Sequence, residues 1–334
     1  MKILLPTANL PCGHNYLRDF LYDGLRVLGH EVVSYPEAPW LHLKGPHERD
    51  SCAADNDQFW LPDAPCDVVQ DLAEGRFDLV FDVDAFTQPR YVQSLARVLP
   101  AATPLVIVDG TDSAGDNRGA AQVAWSRTPA AYFKRELPLG ASWALPCPLT
   151  YPRRRVVRPD PARRGVIYYV ALHAGTAPMR EHIAHGLQAR LDALADVRTT
   201  PGQGGRPSPE AYHAVAVHRA VGIHWNPTAW PVTDHAHQSG WDGNRFWENL
   251  ALGLAPVSLR PFIEFPQGTE FTDNLDVLWA DTAEEVVEKA VVLVRDHERA
   301  TALAYAAQTT FLAHHTSDKR AAYVLRAAGI AACV

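Results

Sequence analysis

Short apolar runs that alternate with amphipathic helical segments limit the possible folds of this chain most strongly. The first half has such runs at residues 2–5 (KILL), 77–83 (FDLVFDV) and 105–109 (LVIVD), and the second half at 165–172 (GVIYYVAL). Strands that are apolar along their whole length lie in parallel sheets covered on both faces. The alternation therefore predicts an α/β fold with parallel sheets.

The chain divides into two lobes near residue 150. At 334 residues it is longer than one hydrophobic core usually serves, and residues 137–165 are rich in Pro and Arg and lack helical spacing. We predict two Rossmann-like domains, over 1–150 and 151–315, that face each other across a cleft. Ligands of such sheets bind at the carboxyl ends of the strands.

Charge and composition exclude several classes of function. Before residue 150 the chain has 12 Lys and Arg residues against 19 Asp and Glu residues, and after it 19 of each. An acidic first lobe is a poor partner for a phosphate backbone, so nucleic acid is not an expected partner. Five scattered cysteines do not indicate a disulfide framework, and no apolar stretch is long enough for a membrane span or a signal peptide. We expect a soluble, cytoplasmic protein.

The segment from Gly240 to Pro256 (GWDGNRFWENLALGLAP) carries the strongest local signal. A glycine-containing turn precedes a helix, and a helix start presents free backbone N–H groups that suit a diphosphate. Glu248 in the next turn could accept hydrogen bonds from a ribose diol. The alternative is an ordinary surface helix preceded by glycine. The residues that this hypothesis assigns to a nucleotide are Asp242, Gly243, Asn244, Arg245 and Glu248.

A second loop with anion-binding character follows the strand at 165–172. In the segment HAGTAPMR, backbone amides of His173 and Gly175 could surround a pyrophosphate while Arg180 neutralises it. No metal ion would then be needed. The alternative is a surface loop with a solvated arginine.

Candidates for acceptor chemistry lie in the first lobe. Gly13 would let a ligand approach the backbone after the first strand, and His14 could act as a base or bind a sugar. Asp109 and Asp112 are competing carboxylates, although Asp112 could simply cap the following turn.

Histidines crowd residues 213–237, where His213, His218, His224, His235 and His237 occur. Neutral imidazoles bind metals, and His235 and His237 would share a face of a strand. No H-E-x-x-H motif accompanies them, so polar or substrate contacts are the alternative. A metal-dependent hydrolase built on this cluster is a rival hypothesis.

The runs NRFWENLALGLAPVSLRPFIEF and DNLDVLWADTAEEVVEKAVVLVRDHERATALAYAAQTTFLAHHTSDKRAAYVL give the chain a family resemblance. They resemble the carboxyl-terminal region of bacterial glycosyltransferases of the glycosyl-transferase-group-1 and CgeB-like kind, with a phrase like R-F-x-E-x-L-A-x-G and a closing H-T-x-x-x-R. NYLRDFLYDGLRVLGHEVVSYP and AYFKRELP in the first lobe are similar to the same group. The resemblance implies the GT-B fold, with a last helix at 316–334 that crosses back to the first domain.

By this resemblance Glu248 corresponds to the second glutamate of an E-x7-E motif, which binds the nucleotide ribose. The first glutamate, which usually contacts the donor sugar, is absent because Gly240 stands at its position; the nearest acid is Asp242.

The resemblance and the residues together predict a metal-independent glycosyltransferase with no cofactor. It would move a sugar from a UDP-, GDP- or dTDP-sugar, bound by the second domain, to a hydroxyl of a small molecule or glycan held by the first. A catalytically silent nucleotide-sugar-binding protein of the same fold is the other rival, because it would explain the missing glutamate.

Overall fold

The computed structural model describes residues 1–6, 16–35, 66–87, 89–111, 115–170, 177–191, 194–198, 209–224 and 243–330. The chain forms two compact units. Unit 1 comprises Met1–Pro148 together with Ser317–Val334, and unit 2 comprises Leu149–Thr316. Among the described residues, no helix has both the length and the apolar composition needed to cross a membrane.

Unit 1 is built on a six-stranded parallel sheet with the strand order β2-β1-β3-β4-β5-β6. Its strands are β1 (Lys2–Pro6), β2 (Glu31–Tyr35), β3 (Leu79–Val83), β4 (Leu105–Asp109), β5 (Ala131–Lys134) and β6 (Leu145–Pro146). The helices between them are α1 (Tyr16–Val27), α2 (Cys66–Ala73), α3 (Pro89–Ala96) and α4 (Arg118–Trp125), and a 3-10 helix spans Ala85–Thr87.

The central strands of unit 1 are buried along their whole length. The registers Ile3↔Leu79 and Val80↔Leu105 join β1, β3 and β4, and every residue of β3 and β4 is buried. Helices cover the sheet because their apolar side chains recur at helical spacing; Trp125 of α4 packs into the same core as Val80. The uninterrupted apolar strands expected from the sequence are therefore present.

Unit 2 contains a five-stranded parallel sheet with the order β11-β10-β9-β7-β8. Its strands are β7 (Val166–Val170), β8 (Leu194–Arg198), β9 (Val221–His224), β10 (Ala255–Leu259) and β11 (Leu278–Ala280). Its helices are α5 (Ala177–Gln188), α6 (Pro209–Ala216), α7 (Asn244–Ala251), α8 (Ala283–Arg295) and α9 (His297–His314).

Side-chain caps separate the last two helices of unit 2. The side chain of Thr282 accepts a hydrogen bond from the backbone N–H of Glu285 at the start of α8, and Asp296 does the same for Arg299 at the start of α9. Such caps satisfy N–H groups that have no partner within the helix. The sequence spacing predicts helices over 282–296 and 298–314, and α8 and α9 correspond closely to them.

One expectation about unit 2 is wrong in detail. Apolar spacing in the sequence predicts a helix over 182–194, but α5 begins at Ala177 and ends at Gln188, and residues 194–198 form the strand β8. The alternative interpretation of the segment around Glu248 as an ordinary surface helix is excluded, because α7 buries Phe246, Trp247, Glu248 and Asn249 completely.

The helix α10 (Ser317–Ala327) belongs to unit 1 and packs against α1. The Ser317 hydroxyl donates to the Asp23 carboxylate at 2.7 Å. A Cβ atom added to Gly24 would lie 2.1 Å from the carbonyl oxygen of Ser317, so the two helices touch at a position where only glycine fits. The last helix thus completes the unit that the first helix begins.

Candidate functional site

The start of α7 has no side-chain cap. Gly243 occupies the N-cap position in an extended conformation (φ −88°, ψ 141°). As a glycine it has no side chain that could accept a hydrogen bond from the first turn. The first-turn N–H groups of an α-helix have no partner within the helix, and the helix dipole makes this end partly positive. Asn244 and Arg245 follow directly. The anion-binding role expected of this helix start stays a prediction.

Glu248 lies at the centre of a buried polar network, one turn into α7. Its side chain is 0% exposed. Oε2 forms an ion pair with Nη1 of Arg245, and Oε1 lies 3.3 Å from the Tyr151 hydroxyl and 3.6 Å from Nε2 of His213. Both carboxylate oxygens already have partners within unit 2.

Tyr151 connects this carboxylate to the His213 imidazole. Its hydroxyl lies 2.8 Å from Nε2 of His213. A hydroxyl has one hydrogen and two lone pairs, so when Tyr151 donates to Glu248 it accepts from the N–H of His213. The side chain of His213 keeps 22% of its surface exposed, whereas Glu248 keeps none. His213 is thus a solvent-accessible member of the network.

The charges of the network favour an ionised Glu248. Burial raises the pKa of this carboxyl, but the Arg245 guanidinium and His213 lower it by more, so the net pKa lies below the ordinary value. The pKa of the Tyr151 hydroxyl moves well above its ordinary value because of burial and the neighbouring Glu248 charge. Tyr151 therefore remains a neutral hydrogen-bonding group.

The ring of Tyr212 packs against the Arg245 guanidinium. The Arg245 guanidinium carbon lies 4.2 Å from the ring centre of Tyr212, which is cation–π distance. The Tyr212 hydroxyl donates to Oδ1 of Asn249 at 2.6 Å, and Asn249 packs over Gly222 of β9. Arg245 therefore contacts residues of both α6 and α7.

Sequence reasoning missed Tyr151 and Tyr212 and grouped His213 with the other histidines. Tyr151 lies in a segment interpreted as a linker, and Tyr212 lies in α6, a helix that was not predicted. The only local signal is the placement of Tyr212 and His213 side by side in the α6 sequence PEAYHAVA. Their contact with α7 depends on β9 and could not be inferred from spacing.

The predicted site residues are only partly within the described chain. Gly243, Asn244, Arg245 and Glu248 lie together at the start of α7. Arg180 lies in the first turns of α5. The other predicted ligands fall outside the described residues: Gly13, His14, Asp112, His173, Gly175 and Asp242.

Asp109, predicted as a catalytic base, is a buried and fully engaged carboxylate at the end of β4. Oδ2 lies 3.0 Å from Nζ of Lys134 and accepts from the Tyr132 hydroxyl at 2.6 Å. Oδ1 accepts the Thr111 hydroxyl at 2.5 Å, and Asn117 donates to Oδ2 at 3.0 Å. These partners suit a residue that orders its neighbours better than one that takes up a proton.

The histidines do not form a metal site in the part of the chain that the structure describes, where no group of three potential ligands occurs. His213 belongs to the Glu248 network, His218 lies just after α6, and the buried His224 has Nδ1 3.0 Å from the Ser258 hydroxyl. His235 and His237 lie outside the described residues.

The region that contains this network matches a known protein family. Residues 205–326 match a family model described as glycosyl transferase-like, and this range includes His213, Arg245 and Glu248. None of the curated proteins matches the chain.

Several solved structures share the fold over nearly the whole chain. HepE (Alr3699) from Anabaena, solved in complex with UDP-glucose, is 11% identical with a TM-score of 0.59, covering 98% of this chain and 99% of that one. A glycosyltransferase from Rickettsia africae is 9% identical (TM-score 0.55; coverage 98% and 97%). Sucrose-phosphate synthase from Thermosynechococcus elongatus is 11% identical (TM-score 0.53; coverage 98% and 98%).

The comparisons confirm two predictions. The chain has the two-domain α/β GT-B fold of these solved structures, and residues 205–326 resemble a glycosyl transferase-like family model. The finer likeness to CgeB-like proteins stays a prediction.

Proposed function

We propose that this protein transfers a sugar from a nucleotide-sugar donor, bound by unit 2, to an acceptor hydroxyl. The glycosyl transferase-like match covers the α6–α7 region, and HepE, which shares the fold, has been solved both with UDP-glucose and with UDP. A uracil nucleotide is therefore the first donor to test, before GDP- and dTDP-sugars.

The observation that carries the proposal is the position of Arg245. This guanidinium lies in the first turn of α7, held between the Glu248 carboxylate and the Tyr212 ring. Backbone N–H groups and a guanidinium at one helix start suit a diphosphate. In the proposed reaction the bond between the sugar C1 and the diphosphate oxygen breaks. The positive groups at this helix start stabilise the charge that develops on the leaving nucleoside diphosphate.

We assign Glu248 a positioning role in this site. The resemblance implies that Glu248 binds the ribose, but in this arrangement its side chain has no exposed surface. A ribose hydroxyl could reach it only if Arg245, Tyr151 or His213 moved aside. The proposed division of roles is that Glu248 orients Arg245 and His213, and that these two side chains contact the nucleotide.

The remaining predicted residues complete the proposal. Backbone groups of Gly243, Asn244 and the His173–Gly175 loop would bind the diphosphate with Arg180, and Asp242 would face the donor sugar. A guanidinium that neutralises the leaving group makes a metal ion unnecessary. On the acceptor side, Gly13 would lie against the ligand, and His14 or Asp112 would take the proton of the acceptor hydroxyl. Asp109 would order this side of unit 1.

A thermal-shift experiment tests the nucleotide site. The purified chain is melted with UDP, GDP, dTDP, ADP and CMP and with their sugars, and the measurement is repeated on Arg245→Lys and Glu248→Gln. We expect at least one nucleotide to raise the Tm of the wild type. Arg245→Lys should reduce that rise because an ammonium lacks the planar fork of donors. Glu248→Gln should reduce it as well, and should also lower the Tm without ligand because Arg245 loses its buried counterion.

A matched control is Glu288→Gln, which removes an exposed carboxylate of α8 from the same unit. It should leave both the Tm and the nucleotide shift unchanged. If no nucleotide stabilises the wild type, or if Arg245→Lys responds as the wild type does, the proposed site is wrong. Release of nucleoside diphosphate in the presence of an acceptor then distinguishes a transferase from a protein that only binds the donor.

A further inference from the structure

Unit 1 has a pocket of its own at the carboxyl ends of β3 and β4. It lies between the 3-10 helix Ala85–Thr87 and α4, and its volume is about 490 Å³. Pockets for small organic ligands usually have volumes of roughly 300 to 1,000 Å³. Ligands of parallel sheets bind at this edge, so both the size and the position suit a small molecule.

Three residues of α4 and one aromatic ring form the apolar wall of this pocket. Ala120, Val123 and Ala124 are spaced i, i+3 and i+4 and so share one face of α4, and Phe86 lies opposite in the 3-10 helix. Phe86 is 3% exposed, but Val123 is 75% exposed. Val123 thus offers apolar surface that a ligand in the pocket could cover.

The polar side chains of the pocket have already donated their hydrogens. The Thr87 hydroxyl donates to the carbonyl oxygen of Asp84 at 2.6 Å, and the Thr111 hydroxyl donates to Asp109. The amide nitrogen of Asn117 faces the Asp109 carboxylate at 3.0 Å, which leaves its oxygen as an acceptor. The Thr111 hydroxyl oxygen already accepts from Nζ of Lys134 and from the Asn117 amide, so it has no lone pair left for a ligand. A ligand that pairs with the Thr87 hydroxyl or with the Asn117 oxygen must supply a hydrogen-bond donor, as a hydroxyl does.

The charges around the pocket are paired with one another. Lys134 lies 3.0 Å from Asp109 with both side chains fully buried, and Arg118 lies 2.7 Å from Asp116 at the start of α4. Across the described lining no charged side chain faces the pocket. An anionic ligand would lose hydration there and gain no cation in return, whereas a neutral ligand loses little.

We propose that this pocket binds the acceptor, and that the acceptor is a neutral, partly apolar molecule whose hydroxyl receives the sugar, rather than an anionic glycan. The inference rests on the proposed function, because it specifies the acceptor of that transfer. In the reaction the acceptor oxygen forms the bond to the sugar C1, its hydroxyl proton leaves to a base, and the nucleoside diphosphate departs.

Calorimetric titration of the full chain tests the pocket with three probes. 2-Naphthol represents the neutral apolar hydroxyl compound, 2-naphthoate its anionic counterpart, and methyl β-maltoside a neutral glycan. Ala120→Phe places a ring on the pocket wall, and Gln122→Phe places the same ring on an exposed position of α4 outside the lining. The ligand-free Tm of each variant shows that it is folded.

We expect 2-naphthol to bind the wild type and Gln122→Phe equally and Ala120→Phe at least tenfold more weakly. 2-Naphthoate should bind the wild type at least tenfold more weakly than 2-naphthol. The inference is wrong if 2-naphthoate binds as tightly as 2-naphthol. It is also wrong if Gln122→Phe weakens binding as much as Ala120→Phe, or if only the maltoside binds.

The nucleotide shift separates this inference from the proposed function. Ala120→Phe should keep the full UDP-induced rise in Tm, because Ala120 is in unit 1 and the proposed nucleotide site is in unit 2. Loss of 2-naphthol binding with an intact nucleotide shift supports the pocket. Absence of any nucleotide shift in the wild type overturns the proposed function, whereas failure of the naphthol titration alone overturns only the acceptor class.

Discussion

Asp84 is a carboxylate in an unusual setting at the end of β3. It is 6% exposed, has a φ of +63°, and accepts the backbone N–H of Gly110 at 2.6 Å. Burial and the nearby Asp109 charge raise the pKa of Asp84 to about 6, although Gly110, Arg135 and Lys134 act in the opposite direction. Unit 1 must therefore accommodate a buried charge near neutral pH.

This setting makes the stability of unit 1 depend on pH. The folded-state pKa of Asp84 lies above its value in the unfolded chain. The contribution of Asp84 to the free energy of unfolding is therefore fully present below about pH 4 and is lost as the pH rises through 6. We expect Asp84→Asn to remove this part of the dependence, which amounts to about 3 kcal/mol of unfolding free energy. Asparagine tolerates a positive φ, so the backbone should not be strained. Urea unfolding at pH 4, 5, 6 and 7 measures the difference from the wild type.

Asp116→Asn is the control for this measurement. Asp116 is exposed, and hydrogen bonds from Arg118 lower the pKa of its carboxyl. Replacing Asp116 should change the pH dependence of the unfolding free energy only slightly, and in the direction opposite to Asp84→Asn. A pH profile of Asp84→Asn that runs parallel to that of the wild type would contradict the prediction.

At the residue scale, sequence reasoning was most informative where neighbours lie in one helix. Arg245 and Glu248 are three positions apart in α7, and both were selected from the sequence. Their partners Tyr151 and Tyr212 were not, because they come from other elements and meet α7 only in the folded unit. Whether Glu248 has room for a ribose depends on those partners, so that question could not be answered from spacing.

At the scale of elements, Gly253 ends α7 and is in close contact with the chain. It has a φ of +70°, and an added Cβ would lie 2.6 Å from the backbone nitrogen of Pro159 and 2.7 Å from the carbonyl oxygen of Val157. Within the segment from Gly240 to Pro256, Gly253 thus lies at the opposite end of α7 from the N-cap Gly243. Its contacts explain why a glycine follows the helix there.

Two glycine substitutions separate backbone strain from crowding at this position. Gly253→Ala should lower the free energy of unfolding by about 3 kcal/mol, since strain at positive φ and contact with the 157–159 backbone add together. Gly268→Ala has the same sign of φ (+76°) but meets nothing within 4 Å, and should cost only about 1 kcal/mol. Equal losses in urea unfolding would show that crowding by the 157–159 backbone contributes nothing.

The elements predicted from the sequence were those with strong periodicity or clear boundaries. The strands β1, β3, β4, β7 and β9 and the helices α8 and α9 belong to this group. α2, α4, α6, β5, β8 and β11 were not predicted, because the local spacing of apolar residues did not distinguish these segments from loops or from neighbouring elements. Their assignment depends on tertiary packing, as Trp125 of α4 illustrates by donating to the buried Asp82 at 2.5 Å.

At the scale of the whole molecule, both sheets follow one plan. Starting from β2 the order in unit 1 is 2-1-3-4-5-6, and starting from β8 the order in unit 2 is 8-7-9-10-11, so each places its first strand between its second and third. This is a doubly wound order, with ligands expected where the direction of winding changes. The sequence predicts two such domains, but strand order itself leaves no trace in local patterns.

The contact between α1 and α10 is tested by Gly24→Ala. The added methyl group would overlap the Ser317 carbonyl at 2.1 Å, so α10 must move away from α1. We expect unit 1 to lose about 3 kcal/mol of stability and the amides of α10 to exchange faster with solvent. Hydrogen exchange followed by mass spectrometry resolves the two units, and peptides from 149–316 should keep their protection.

Gly119→Ala provides the reference for this substitution. Gly119 lies in α4 of the same unit, and its added Cβ meets nothing within 4 Å. This change should be neutral or stabilise the unit by up to about 1 kcal/mol. Unchanged exchange in α10 of Gly24→Ala would show that the helix does not depend on this contact.

The division of unit 1 into residues 1–148 and 317–334 has a consequence for synthesis on the ribosome. Domains usually fold as units while the chain emerges. Unit 2 is continuous from 149 to 316 and has all its residues before α10 is translated. Unit 1 must wait, with the surface of α1 around Gly24 uncovered, until α10 leaves the exit tunnel. Of these two units, the one whose sequence begins first is thus completed second.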